Sequence, residues 1–185
     1  MTYKLTSGIF IDSSVISLAL IICFMTYQSA LSQTNSTSPF STSGAKIEGV
    51  SAETVDGKYI VNLQYGPELV RNGEPMFFMA NLFENAGDKQ VRLRHVDCDF
   101  IISKDGIELY RMSTQYGEPF FHSINGVMLP TFKFAEFGKY TISVEIAGIL
   151  FVPIQPKSVY FSAVASPMEE DNLEIRLSAD KARVL

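Results

Sequence analysis

Cysteine is scarce in this sequence, which contains only Cys23 and Cys98. Cys23 lies in an apolar N-terminal segment with the character of an export signal, so the mature domain would hold one thiol and no internal disulfide. The fold must therefore be stabilised by packing alone. The alternation around Cys98 places it in register with Val96 and Phe100, which favours an inert core cysteine over a reactive thiol or an intermolecular disulfide.

An excess of basic residues is also missing. The chain has 15 lysines and arginines against 20 acidic residues, a net charge of −5 and an isoelectric point near 5.0. Phosphate backbones are bound by clustered Lys and Arg side chains, and here the basic residues are scattered. This composition excludes nucleic acid as a partner.

Motifs for catalysis and nucleotide binding are missing as well. There is no Gly-x-Ser-x-Gly, and only His95 and His122 could serve as imidazole bases. The glycines occur singly in predicted turns, so no glycine-rich loop is available to hold a phosphate. We therefore expect that the protein is not an enzyme.

The N-terminus carries an export signal. Val15 to Tyr27 is an apolar run, followed by Ala30 and Ser32 at the small-residue positions of a signal-peptidase site. The alternative is an uncleaved membrane anchor, with the apolar segment counted over residues 8–27. Residues 1–32 are thus predicted to be a signal peptide or membrane anchor, which places the protein outside the cytoplasm, secreted or anchored.

The remaining chain divides into a spacer, one domain and a tail. Residues 33–45 are rich in Ser and Thr, which predicts a flexible spacer, and Asn35 begins a tripeptide with the form of an N-glycosylation site. Residues 46–167 are enough for one hydrophobic core. Residues 168–185 are charged, and we interpret them as a short helix or a disordered tail.

Helical periodicity is missing from this domain, and short runs with a period of two take its place. Since no helices separate the runs, they predict an all-β, immunoglobulin-like antiparallel β-sandwich of about seven strands. Asp105-Gly106 predicts a hairpin, and Pro130 predicts an edge strand or a bulge. The strand candidates are residues 57–65, 76–83, 95–102, 107–112, 127–134, 139–152 and 157–166.

The most regular alternation follows Gly138 and Tyr140. In immunoglobulin-like sandwiches, a tyrosine at the start of the penultimate strand forms a tyrosine corner, in which its hydroxyl bonds back to the preceding loop. The alternative is that Tyr140 is one more core aromatic. Its position directly after a glycine turn favours the corner.

The segments 137–144, 95–100 and 104–106 together resemble the secreted immunoglobulin-like domains that are common in ammonia-oxidising archaea, and the YtkA-like sandwiches of envelope proteins. The resemblance covers about residues 57–167. It implies an exported sandwich with an adhesion, scaffolding or metal-trafficking role and a protein or other envelope component as partner.

One group of residues has metal-ligand chemistry. His95, Asp97 and Asp99 alternate along a predicted strand, so their side chains project from one face. An imidazole and two carboxylates would supply part of a zinc or copper site, which His122 from the following loop would complete.

An ordinary solvent face is the favoured interpretation of the same pattern. Same-face residues on a strand lie about 7 Å apart, too far to chelate one ion easily, and Asp99 could pair with Lys104 or Arg94. A blue-copper centre is disfavoured because Cys98 lies mid-chain, facing inward. We expect no cofactor, with copper or zinc as the alternative.

Two apolar segments, 110–129 and 148–156, are candidates for a partner surface. Aromatic residues on a long loop either cover one end of a sandwich or contact a partner, and exposed apolar residues in the second segment would form an interaction patch or lie against a membrane. The sequence thus predicts a binding or structural module of the cell envelope. The apolar residues concerned are Tyr116, Phe120, Phe121, Leu150, Phe151 and Val152.

Overall fold

The computed structural model describes residues 48–168 and 172–180. These residues form two β-sheets and one short 3-10 helix. The predicted signal or anchor segment, the spacer, Asn35 and Cys23 lie outside the described residues. Within the described ranges, no helix is long and apolar enough to cross a membrane.

The strands follow one another along the chain with short connections, and the 3-10 helix Ser113–Tyr116 lies between the strands that end at Arg111 and begin at Phe121. In chain order the strands are β1 (Glu48–Glu53), β2 (Tyr59–Gly66), β3 (Leu69–Arg71), β4 (Met76–Asn85), β5 (Gln90–Arg92), β6 (Val96–Lys104), β7 (Ile107–Arg111), β8 (Phe121–Ser123), β9 (Val127–Met128), β10 (Thr131–Phe132), β11 (Gly138–Ile149), β12 (Val152–Pro167) and β13 (Asn172–Ala179).

The strands form two antiparallel sheets. The six-stranded sheet has the order β1-β2-β4-β10, and β5 and β9 also pair with β4. The seven-stranded sheet has the order β3-β13-β12-β11-β6-β7, and β8 also pairs with β6. Phe78 of β4 and Phe100 of β6 meet between the sheets, with ring centroids 5.4 Å apart. The prediction of an all-β antiparallel sandwich is confirmed.

The alternation of side chains explains which face of each strand is buried. Successive residues of a strand point to opposite faces, so every second residue enters the space between the sheets. Each apolar side chain that is fully buried there contributes roughly 1.5–3 kcal/mol. In β4 and β11 the core residues are Met76, Phe78, Ala80, Leu82, Tyr140, Ile142, Val144 and Ile146.

The predicted strands are neighbours within each sheet. Their order is β7-β6-β11-β12 in the larger sheet and β2-β4-β10 in the smaller one. The short strands β1, β3, β5 and β8 add to the predicted set of about seven. The run 127–134 is an edge strand interrupted at Pro130, whose carbonyl accepts a hydrogen bond from the Phe78 amide at 3.0 Å.

Two local predictions are confirmed by the backbone and by one hydrogen bond. Asp105 and Gly106 have φ angles of 52° and 81° and form the tight turn between β6 and β7. The Tyr140 hydroxyl donates a hydrogen bond to the Glu136 carbonyl at 2.7 Å, as a tyrosine corner requires. The strand of Tyr140 is not the penultimate one, however, because both β12 and β13 follow it.

The prediction of a helix or disordered tail is wrong for Asn172–Ala179. This segment is β13, which pairs with β12 and β3 and buries Leu173 and Ile175 in the core. Its charges misled the interpretation, because Glu174 and Arg176 lie between the apolar residues and form an ion pair of 2.6 Å. A period of two, apolar residues alternating with polar ones, was present but short.

Candidate functional site

The candidate site lies at the end of the sandwich where β6 begins and β11 turns into β12. Ile149 pairs with Val152, so Leu150 and Phe151 form a two-residue turn. Their φ angles are 51° and 65°, in the left-handed region that bulky side chains rarely adopt. Turns of this kind normally carry Asn-Gly or Asp-Gly. Two large apolar residues therefore occupy a turn that favours small polar ones.

The side chains of this turn project into solvent. Leu150, Phe151 and Val152 are 60%, 70% and 61% exposed, and Ile124 from the loop between β8 and β9 is exposed as well. We call these four residues the apolar tip. Monomeric proteins rarely expose consecutive large apolar residues without a partner, so the tip is a candidate contact surface.

His95 holds the loops of the tip together. It has a φ angle of 48°, and its amide donates to the Ile124 carbonyl at 3.1 Å while its carbonyl accepts from the Leu150 amide at 2.8 Å. Its ring lies 4.5 Å from the ring of Phe151. Within the described part of the chain, the buried Nδ1 atom of His95 has no hydrogen-bond partner. His95 thus connects the loop of Ile124 to the turn of Leu150, and it lies just before β6, which begins at Val96.

Asp97 and His122 form a polar pair beside the tip. The His122 Nδ1 and Asp97 Oδ1 atoms lie 2.7 Å apart, and the ring of His122 stacks on Phe151 with centroids 5.4 Å apart. Gly148 makes room for this pair at an irregularity of β11, because a Cβ atom there would lie 2.6 Å from Asp97 Oδ2. A side chain larger than glycine would displace the carboxylate.

A cleft of about 490 Å³ opens next to the pair. The 3-10 helix ends at Tyr116, and Gly117 after it has a φ of 69°, which turns the chain toward β8. The rings of Tyr116 and Phe121 lie 5.4 Å apart. We call this the aromatic cleft. It is lined by Asp97, Tyr116, Glu118, Pro119, Phe120, Phe121 and His122.

Asp99 does not belong to the site, and its predicted place on the solvent face is wrong. Its side chain is fully buried and accepts hydrogen bonds from the Phe100 amide at 2.9 Å and the Ser113 amide at 3.0 Å. Further hydrogen bonds come from the Ser113 hydroxyl at 2.5 Å and the Arg111 guanidinium at 3.0 Å. The proposed pairing with Lys104 is also wrong, because Lys104 contacts Glu136 instead.

The four residues considered for zinc or copper therefore separate. His95, Asp97 and His122 lie beside the apolar tip, with the two imidazole centroids 5.7 Å apart. Asp99 instead accepts the buried hydrogen bonds described above. Among residues 48–168 and 172–180, no group of three or more His, Cys, Asp or Glu side chains is arranged to hold a metal ion.

Cys98 is a core residue, as its register predicted. Its side chain is fully buried, and its Sγ lies 3.6 Å from the Phe121 carbonyl. Burial raises the pKa of the Cys98 thiol, and the negative charges of Asp99 and Asp97 raise it further. A thiol that resists ionisation is a poor nucleophile and a poor metal ligand.

Sequence reasoning missed the roles of His95 and Gly148. A single glycine in the apolar run from Ile146 to Val152 was the available signal, since a glycine inside a strand often marks a bulge or the close approach of another group. The backbone role of His95 left no signal, because it depends on loops that meet only in the fold.

No protein-family model, curated protein or solved structure matches this chain.

Proposed function

We propose that the chain is a non-catalytic binding module of the cell envelope, which contacts a protein partner through the apolar tip. The observation that carries this proposal is the exposure of three consecutive large apolar residues, Leu150, Phe151 and Val152, at the end of the longest hairpin. Side chains of this size and hydrophobicity dominate the energy of protein interfaces when a partner covers them.

The backbone of the turn supports the same function. Left-handed φ angles cost roughly 1–2 kcal/mol for each residue other than glycine, and Leu150 and Phe151 both have them. Unfavourable conformations of this kind concentrate at functional sites. His95 fixes the turn through its hydrogen bonds to Ile124 and Leu150, so the tip is ordered before a partner binds.

The envelope location comes from the sequence. The apolar run from Val15 to Tyr27, the small residues Ala30 and Ser32 and the Ser/Thr-rich spacer 33–45 support export, either as a secreted chain or as one anchored by residues 8–27. The resemblance to secreted immunoglobulin-like domains supports the same location. A spacer of this kind would let the sandwich reach a partner away from the membrane surface.

Site-specific photo-cross-linking in the native host tests this function. A benzoylphenylalanine at position 151 is compared with one at Ile107, which is equally exposed at 67% but lies at the opposite end of the sandwich. We expect a discrete protein adduct from position 151 that is lost when Leu150→Ser is added. Adducts from both positions, or none from position 151, would contradict the proposal.

The metal-binding alternative has less support, because Asp99 is engaged in buried hydrogen bonds and only His95, Asp97 and His122 remain together. Metal analysis of the purified chain separates the two functions. We expect copper and zinc contents no higher than those of the His122→Ala variant. A stoichiometric metal that is lost in that variant would replace the binding module with a metal accessory protein.

A further inference from the structure

The aromatic cleft has walls that suit a positively charged group. Tyr116 is exposed, and its ring lies 5.4 Å from that of Phe121 at an interplanar angle of 44°. The faces of such rings carry negative electrostatic potential and attract an ammonium or guanidinium group placed over them.

Charged side chains in the cleft have the complementary sign. Asp97 and Glu118 contribute carboxylates, and the lining includes neither lysine nor arginine. The guanidinium of Arg111 is directed elsewhere, to Asp99 at 3.0 Å and Glu108 at 2.7 Å.

The cleft is continuous with the apolar tip. His122 lines the cleft and also stacks on Phe151, with ring planes 17° apart. We infer that the aromatic cleft receives a lysine or arginine side chain of the partner, while neighbouring apolar residues of the same partner contact the apolar tip. This inference rests on the proposed function, since it describes the segment of the partner that binds there.

A lipid bilayer fits the same end of the molecule less well. Insertion of Phe151 into a bilayer would carry the carboxylates of Asp97 and Glu118 toward the hydrocarbon, where charged groups are costly. The net charge of −5 also repels the chain from anionic lipid surfaces. A protein segment with a basic residue satisfies both the apolar and the acidic parts of the site.

Ligand-observed NMR with the purified chain tests the inference. The probe is N-acetylarginine amide, and its neutral isostere N-acetylcitrulline amide is the control for shape. We expect saturation transfer to the arginine derivative, with a dissociation constant on the order of 1 mM for so small a ligand, and none to the citrulline derivative at the same concentration.

Variants then locate the bound probe. Asp97→Asn, which keeps the shape and a hydrogen bond to His122, and Tyr116→Ala should each weaken binding by about fivefold. Asp105→Asn removes the same charge at the opposite end and should change nothing. Equal binding of the citrulline derivative, no binding of the arginine derivative, or an equal effect of Asp105→Asn would overturn the inference.

The cross-linking result keeps the two proposals distinguishable. A protein adduct at position 151 together with a failed arginine titration would overturn the basic side chain alone and leave the binding module intact. A lipid adduct at position 151 would assign the tip to the bilayer and overturn both the protein partner and its basic residue.

Discussion

The hydroxyl of Tyr140 connects β11 to the loop that precedes it. It donates to the carbonyl of Glu136, and its ring packs edge-on against Phe134 with centroids 4.9 Å apart. The side chain is 2% exposed, so this hydrogen bond is largely shielded from water. The residue thus fixes the angle at which the chain enters the central strand of the larger sheet.

Tyr140→Phe should lower the free energy of unfolding by about 1 kcal/mol, because it leaves the ring in place and removes one buried hydrogen bond. Urea denaturation measures the difference. Ile142→Ala serves as the reference for a core cavity on the same strand and should cost about 2–5 kcal/mol. A Tyr140→Phe chain as stable as the wild type would show that the hydroxyl contributes nothing to stability and that Tyr140 acts only through the packing of its ring.

Residue roles were predictable from the sequence where the partners are close in the chain. Tyr140 bonds to a carbonyl four residues earlier, and a known turn geometry links the two. Asp99 bonds to Ser113, which is 14 residues away, across a hairpin and into the 3-10 helix. No local pattern reports such a pairing, so an alternating polar residue was interpreted as solvent-exposed.

Two hairpins of the larger sheet have turns with similar φ angles but very different residue types. The turn between β6 and β7 uses Asp105 and Gly106, which adopt left-handed φ angles at low cost. The turn between β11 and β12 uses Leu150 and Phe151 in nearly the same conformation. Since stability alone would favour the first kind of turn, the second is consistent with a role in contact.

Replacing the tip turn by Leu150→Asn/Phe151→Gly should raise stability while abolishing the cross-linked adduct. Relief of two left-handed residues contributes roughly 1–2 kcal/mol each, and loss of the Phe151 contacts with His95 and His122 costs about 0.5–1.5 kcal/mol each, so a net gain of about 1 kcal/mol is expected. The midpoint of urea denaturation measures the gain in stability. Because position 151 is then glycine, the adduct is followed with a benzoylphenylalanine at position 152, in the chain with and without the two substitutions.

The reverse exchange provides the control. Asp105→Leu/Gly106→Phe places the same residues in the other turn and should destabilise the chain by about 2–4 kcal/mol. A tip variant that is less stable than the wild type would mean that Leu150 and Phe151 mainly serve the packing of the hairpin.

At the scale of the whole molecule, the sandwich extends past the boundary that composition suggested. β13 lies between β3 and β12 and places Leu173 and Ile175 in the same core as the central strands. The boundary was missed because a charged segment with only a few alternating apolar residues resembles a solvated tail until a neighbouring strand is available to pair with it. The extent of the domain is thus decided by strand pairing and not by composition.

Ending the chain after residue 168 should therefore destabilise the entire domain. The loss of two buried aliphatic side chains amounts to about 3–6 kcal/mol, a large part of the 5–15 kcal/mol typical of a domain, and it also uncovers the edge of β12. Thermal denaturation should show a strongly lowered midpoint or no cooperative transition.

Because a truncated chain can fail for other reasons, Leu173→Ala and Ile175→Ala test the same packing separately, and each should cost about 2–5 kcal/mol. Arg176→Ala, on the exposed face of the same strand, should leave the midpoint unchanged. A truncated chain with the wild-type midpoint would show that the sandwich closes without β13.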